Sequence, residues 1–138
     1  MLSITYRSNI KITAAQFIDL LKRSTLDQRR PVNDERRIKR MLEHGNVLVT
    51  AWDGEKLVGI SRGLSDFSFC CYLSDLAVDE SYQHQGIGKE LIRLTHEAAG
   101  EETTLILLAA PAAQKYYPKI GMEQFEHCFI IQRKRGIK

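Results

Sequence analysis

Leu76-Ala-Val-Asp-Glu-Ser-Tyr-Gln83-His-Gln-Gly86-Ile-Gly88-Lys89-Glu-Leu91 is the stretch that decides the reading of this chain. An apolar strand ends at Val78, a polar turn follows, and two glycines open a helix. Glycine carries no Cβ, so the backbone can come close to a ligand. The free amides of a helix's first turn then face that ligand, with the positive end of the helix dipole behind them. Such a turn suits a pyrophosphate, and Lys89 adds a cation. On the glycines alone, a tight strand-to-helix joint with no ligand explains the stretch equally well. A Walker A loop fails twice, because Gln83 stands where it needs glycine and Glu90 where it needs Ser or Thr. A dinucleotide fingerprint fails too, since only Gly86 and Gly88 of its glycines are present.

Working outward, the helix continues through Ile87, Leu91, Leu94 and Ala98, an amphipathic spacing that Gly100 ends. Thr103 to Ala109 reads as a strand buried on both faces. A short helix is expected at Ala112 to Tyr117, and a last strand near Phe129 to Arg133. Upstream, Phe69 to Val78 is a strand. Val47 to Trp52 and Lys56 to Ser61 form a hairpin about Asp53-Gly54, a pair that favours a type I′ turn. Ser3 to Arg7 alternates like a first strand. Thr13 and Gln16 make a capping box before Phe17, Leu20 and Leu21. Asn33 is expected to cap a second helix, with Ile38, Met41 and Leu42 on its apolar face and Gly45 as its stop. Antiparallel strands come first and a β-α-β unit after, which predicts a mixed, mostly antiparallel sheet in an α/β (α+β) fold.

The chain has 138 residues, enough for one sizeable core, and its 43% hydrophobic and 27% charged content is ordinary for a globular protein. Without repeats or linkers it reads as one domain, residues 1–138. Cys70, Cys71 and Cys128 lack metal-ligand spacing, and His44, His84, His96 and His127 are scattered, so no metal is expected. Few cysteines, no signal-peptide pattern and no apolar run near the roughly 20 residues that cross a bilayer predict a cytoplasmic protein without a membrane partner. The net charge is +3, of which Arg133, Lys134, Arg135 and Lys138 supply four positive charges, leaving −1 elsewhere. That tail reads as a solvated terminus, with no nucleic acid as partner.

Gln83-x-x-Gly86-x-Gly88 after a Leu-Ala-Val strand resembles the acyl-CoA signature of the GNAT superfamily of N-acetyltransferases. Tyr116-Tyr117-Pro-Lys-Ile-Gly121-Met122 resembles that superfamily's aromatic-Tyr-x-x-φ-Gly-Phe element. The resemblance is good from Val47 to Met122 and holds in element order alone before Gly45. It implies a single GNAT-like domain whose central sheet splays at a β-α-β acyl-CoA site. The backbone of Leu76, Ala77 and Val78 would then pair with the pantetheine amides. The amides of Gln83, His84, Gln85, Gly86, Ile87, Gly88 and Lys89 would hold the pyrophosphate. Tyr117 would be the catalytic acid that protonates the departing CoA thiolate. A phenol with an ordinary pKa near 10 keeps its proton at neutral pH and can give it up.

The chain departs from the family pattern in three places. Ala110 replaces an asparagine that bonds pantetheine in many members, and Met122 replaces Phe. Pro118 is expected to push Tyr117 out of helical φ/ψ. No general base stands out: Leu105 and Tyr72 occupy positions where relatives carry glutamates, and Asp75 is a nearby alternative. The implied activity is direct transfer of acetyl from acetyl-CoA to a primary amine of a small molecule or peptide. A non-catalytic acyl-CoA sensor or scaffold is the alternative, and a homodimer is compatible with either. Lys22 to Arg40 holds eight basic residues against three acids, which predicts an acceptor bearing carboxylate or phosphate if this segment walls the pocket.

Overall fold

A computed structural model describes residues 3–133, so Lys134, Arg135 and Lys138 of the basic tail lie outside the described residues. The chain divides into two compact units, one ending at Leu108 and the other starting at Ala109.

The first unit is built on a sheet of β1 (Ile4–Ser8), β2 (Val47–Asp53), β3 (Lys56–Ser65), β4 (Cys70–Val78) and β5 (Thr104–Leu107), in that spatial order. The first four strands are antiparallel neighbours, and β5 lies parallel to β4. Parallel neighbours need a crossover, which α3 (Ile87–Ala99) supplies. Helices α1 (Ala14–Ser24) and α2 (Glu35–His44) connect β1 to β2. The sheet is covered on both faces. Phe17, Leu20, Leu21 and Ile38 of α1 and α2 pack with Trp52, Leu57, Ile60 and Ala77. Ile87 and Leu91 of α3 pack with Val49, Ala51 and Val58. The sheet's inner positions are thus largely apolar on both sides, with Thr50, Ser61, Arg62 and Asp75 as buried polar exceptions.

The capping box forms as expected. Thr13 Oγ1 accepts from Gln16 N at 3.1 Å, and Gln16 Oε1 accepts from Thr13 N at 2.8 Å. Several local expectations are corrected. The cap of α2 is Asp34, not Asn33: its carboxylate accepts from Arg37 N at 3.1 Å, and its charge suits the helix dipole better than an amide. In the β2–β3 hairpin Asp53 pairs with Lys56, so Gly54 and Glu55 are the central residues. Among them Gly54 alone has positive φ, +60°, which excludes a type I′ turn. Gly45 does stop α2, its N–H donating to Met41 O at 3.1 Å, but with φ −78° and not in the left-handed region. It is glycine because a Cβ there would meet Arg62 Cγ at 2.9 Å. The buried stripe of α3 is Ile87, Leu91, Thr95 and Ala99, turned from the expected Leu94 and Ala98. Thr95 can be buried because its hydroxyl donates to Leu91 O at 2.7 Å and bonds Ser61 Oγ at 2.6 Å.

Strand β5 is not buried on both faces: Ile106 is 55% exposed. Its apolar run reads as interior, yet among the described residues it is the outer strand of the sheet.

The second unit holds a 3₁₀ turn, Pro111–Ala113, and a one-turn helix, α4 (Tyr116–Lys119). Pro118 sits inside α4 and leaves Tyr117 helical, contrary to expectation. In a first helical turn the missing N–H would have no partner anyway. Phe129 to Arg133 forms no strand among the described residues, and Phe129 is 91% exposed. An apolar alternation needs a paired neighbour to become a strand.

Candidate functional site

The site begins where two strands part. Pairing of β4 with β5 runs from Cys70↔Thr104 to Leu73↔Leu107 and stops. Strand β4 continues to Val78, paired with β3 alone through Asp75↔Arg62, Leu76↔Ser61, Ala77↔Ile60 and Val78↔Gly59. Beyond Leu73 no strand pairs with the other edge of β4, so the stretch Leu76, Ala77 and Val78 can take an added strand-like ligand, with the carbonyls at either end, Ser74 O and Val78 O, accepting from Arg30 Nη2 at 2.7 Å and Gln83 Nε2 at 2.9 Å.

A bulge sits at the fork. On β3 the neighbours Arg62 and Gly63 face Asp75 and Leu73, so Ser74 is left without a ladder partner. The extra residue inverts side-chain alternation along β4. Cys71 packs with Ala99 of α3, whereas Ala77, also odd-numbered, packs with the α1 and α2 cluster.

Beyond Val78, the turn that leads into α3 is fastened at three points. Asp79 is buried and its carboxylate accepts from Arg23 Nη1 at 2.6 Å and Ser81 N at 2.8 Å. Burial alone would raise the Asp79 carboxyl, but Arg23, the Ser81 amide and Lys56 outweigh it and hold the pKa below the usual value. Tyr82 donates its hydroxyl to Asp53 Oδ2 at 2.6 Å. Gln83 Nε2 donates to Val78 O at 2.9 Å, folding the turn back on the strand.

Gly86 then caps α3 with φ +84°, and no atom lies within 4 Å of where its Cβ would be. Gln83, His84, Gln85, Gly86 and Lys89 are exposed, and Gly88 is half-exposed. Ile87 is buried, its side chain rooted in the core while its amide belongs to the first turn. The first α-helical bond of α3 is Glu90 N to Gly86 O, at 3.1 Å. The amides of Ile87, Gly88 and Lys89 thus precede the ladder, as those of any helix's first turn do. Each predicted residue from Leu76 to Lys89 therefore lies on the open strand edge or on the turn at the start of α3.

The remaining candidates separate. Asp75 is fully buried between two arginines, with Arg30 Nε donating to Oδ1 and Arg62 Nε to Oδ2 at 2.5 Å. A carboxylate with no exposed surface and a guanidinium on each oxygen is not presented to an amine, which argues against it as general base. Two of the eight cations expected in a basic wall are also spent internally: Arg30 on Asp75 and Arg23 on Asp79. Lys22, Arg29, Arg36, Arg37 and Arg40 are exposed. Burial raises the Cys71 thiol, and Asp66 helps to raise the Cys70 thiol, so neither is an activated nucleophile. In the second unit, Tyr117 stands edge-on to Tyr116, ring centres 5.2 Å apart. Burial first, and Tyr116 second, push its phenol above the ordinary value, which favours the protonated form.

Asp79, Arg23, Tyr82 and Asp53 were not foreseen as site residues. Asp79-x-Ser81 is a recognisable Asx-turn pattern. Arg23 lies 56 residues away, beyond any local signal. Among the described residues no cluster of three His, Cys, Asp or Glu side chains can hold a metal. A separate cleft of about 620 Å³ opens between the β1–α1 loop and α2 over Ile10, Ile12, Leu42 and Leu48, and shares no residue with the fork.

The sequence matches a model of the acetyltransferase (GNAT) family over residues 14–122. It is 27% identical over 124 residues to an uncharacterized N-acetyltransferase, ycf52, of Porphyra purpurea, covering 84% of this chain and 68% of that protein. A Staphylococcus aureus protein described as a probable acetyltransferase superposes with a TM-score of 0.74 at 23% identity, over 94% of this chain and 99% of its own. An aminoglycoside N-acetyltransferase solved in complex with CoA superposes with a TM-score of 0.70 at 15% identity, over 96% and 95%. At these identities the two structures bear on the fold alone.

Proposed function

Because the chain belongs to the acetyltransferase (GNAT) family and is an acyltransferase, we propose that it moves acetyl from acetyl-CoA to a primary amine by direct attack. The observation that carries this reading is the fork. An open strand edge at Leu76 to Val78 leads straight into a glycine-capped helix start, and these two features suit the two halves of one ligand. Pantetheine has two amides that need backbone partners, and the pyrophosphate next to it needs amide donors and positive potential. We assign the first to Leu76, Ala77 and Val78, and the second to the turn from Gln83 to Lys89.

In the reaction the neutral amine nitrogen attacks the thioester carbonyl, the C–S bond breaks, and the nitrogen loses a proton. Tyr117 is the acid by its place in the Tyr116-Tyr117-Pro-Lys-Ile-Gly121-Met122 motif. Its phenol gives its proton to the thiolate as the bond breaks. With Asp75 buried behind two arginines, water takes the proton that the attacking nitrogen loses.

For the acceptor, the exposed cations Lys22, Arg29, Arg36, Arg37 and Arg40 favour an amine that also carries a carboxylate or phosphate, and disfavour a polyamine. The test is thiol release from acetyl-CoA across a panel of acidic, neutral and polycationic amines, alongside CoA titration by calorimetry. Amine-dependent thiol release with acidic amines preferred is the expected result. CoA binding without thiol release from any amine would establish a sensor instead.

A further inference from the structure

Arg30 makes contacts that charge neutrality does not require. Arg62 alone would pair with Asp75 one to one. It is 6% exposed, and its other nitrogens donate to Met41 O at 3.1 Å and Ser74 Oγ at 3.2 Å. Adding Arg30, which is half-buried, puts two guanidinium groups on one buried carboxylate, one more than its charge needs. What Arg30 adds is a bond to the strand itself, because its Nη2 donates to Ser74 O at 2.7 Å. Ser74 is the residue that the bulge leaves without a ladder partner, and it begins the edge from which β5 has just departed. Arg30 itself follows the 3₁₀ turn Leu26–Arg29 that joins α1 to α2.

We infer that Arg30 is a positioning residue. Through Asp75 and the Ser74 carbonyl it holds the bulge of β4 and so aims the open edge Leu76–Val78 at the pantetheine arm. This rests on the acyl-CoA reading above. The guanidinium fork suits the task, since it reaches a carboxylate and a carbonyl together, whereas a lysine ammonium is a single point donor on a flexible stem. Without it Ser74 O loses a charge-assisted bond, and the edge is free to drift from the register that two successive pantetheine amides require. The turn before Gly86 has its own ties to other elements, Asp79 to Arg23 and Tyr82 to Asp53, so the pyrophosphate half does not hang on Arg30.

Two ligands separate these halves. CoA uses both, and 3′-phosphoadenosine 5′-diphosphate, which lacks pantetheine, uses the turn alone. In Arg30→Met the Arg62–Asp75 pair stays balanced, and the affinity for CoA should fall about ten-fold, the scale of one lost bond to a charged donor. The affinity for the nucleotide should stay within about two-fold, since an effect confined to pantetheine leaves it untouched. Arg30→Lys should fall between Met and wild type, and it decides by the same ratio if the Met variant does not fold. Equal loss for both ligands, or no loss for either, would overturn the inference by making Arg30 merely structural. Wild-type protein that binds neither ligand would overturn the acyl-CoA reading itself, and this inference with it.

Discussion

Tyr82 and Asp53 meet across 29 residues of sequence, the phenol donating to the carboxylate at 2.6 Å. Asp53 ends β2 at the tip of the first hairpin, and Tyr82 belongs to the turn that opens α3. This bond joins the hairpin to the turn, and Lys56 of the same hairpin adds to it, lying 5.3 Å over the Tyr82 ring and 4.0 Å from Asp79 Oδ2. The hydrogen bond to Asp53 is the main cause that raises the Tyr82 phenol above its ordinary value, so the bond persists through neutral pH. Tyr82→Phe keeps the ring and removes the bond. It should weaken CoA binding a few-fold by calorimetry while the melting temperature moves little, because the exposed turn contributes little to the core.

A side chain at Gly86 is disfavoured by the backbone and not by lack of internal space. Its φ of +84° strains any L residue, while the surrounding 4 Å is empty. Gly86→Ala should cost about 1 kcal/mol of stability in a denaturant titration. Gly86→Val adds branching at the position where the pyrophosphate is proposed to lie, and CoA binding should collapse while the fold survives. Undiminished binding in the valine variant would remove this turn from the ligand site.

Tyr117→Phe should lower kcat about 10- to 100-fold, the low end for acid help because a thiolate already leaves well. The KM for acetyl-CoA should hardly change, since the proton is needed in the transition state. Burial raises the phenol's pKa, so wild-type activity should fall only to the alkaline side of an ordinary phenol's range. That alkaline fall should be absent in Tyr117→Phe, and Tyr116→Phe should behave as wild type. Full kcat in Tyr117→Phe with a loss in Tyr116→Phe would shift the acid by one residue.

Asp66 organises the loop between β3 and β4. Its Oδ1 accepts from the amides of Ser68, Phe69 and Cys70 at 2.9, 2.7 and 3.0 Å. These backbone bonds, with Ser68 the largest, lower its carboxyl to about 2. A depressed carboxyl stabilises the fold fully above the unfolded value near 4, and that stability is lost as pH falls from about 4 towards 2. Acid unfolding followed by circular dichroism should show this limb in wild type and lose it in Asp66→Asn, which keeps the acceptor and removes the titration.

Arg29→Glu with Arg36→Glu reverses two exposed charges that no internal ion pair uses. The KM for an acidic acceptor should rise, most at low salt where screening is weakest, while the KM for acetyl-CoA stays unchanged. A polycationic acceptor with the same KM in both proteins would show that this face takes no part in selection.

Reading the chain alone reaches whatever local rules govern. Thr13 and Gln16 make a capping box because they are three residues apart on one turn. Gly86 and Gly88 mark a helix start that can face an anion because the glycine spacing acts within a few residues. The strand, turn and helix from Leu76 to Leu91, and the mixed sheet around them, follow from such signals. Elsewhere the local signal was incomplete. Asp34 displaced Asn33 as a cap because charge at a helix start outweighs an amide, and β5 looked interior only because apolarity does not say how many neighbours a strand has. The fork at Leu73 and Leu107, the bulge at Ser74 and the arginines on Asp75 and Asp79 belong to the tertiary structure alone. Arg30 reaches Asp75 across 45 residues and Arg23 reaches Asp79 across 56. No period or motif carries information over that distance, because such pairs are selected by packing two elements together and not by the spacing of residues along either one.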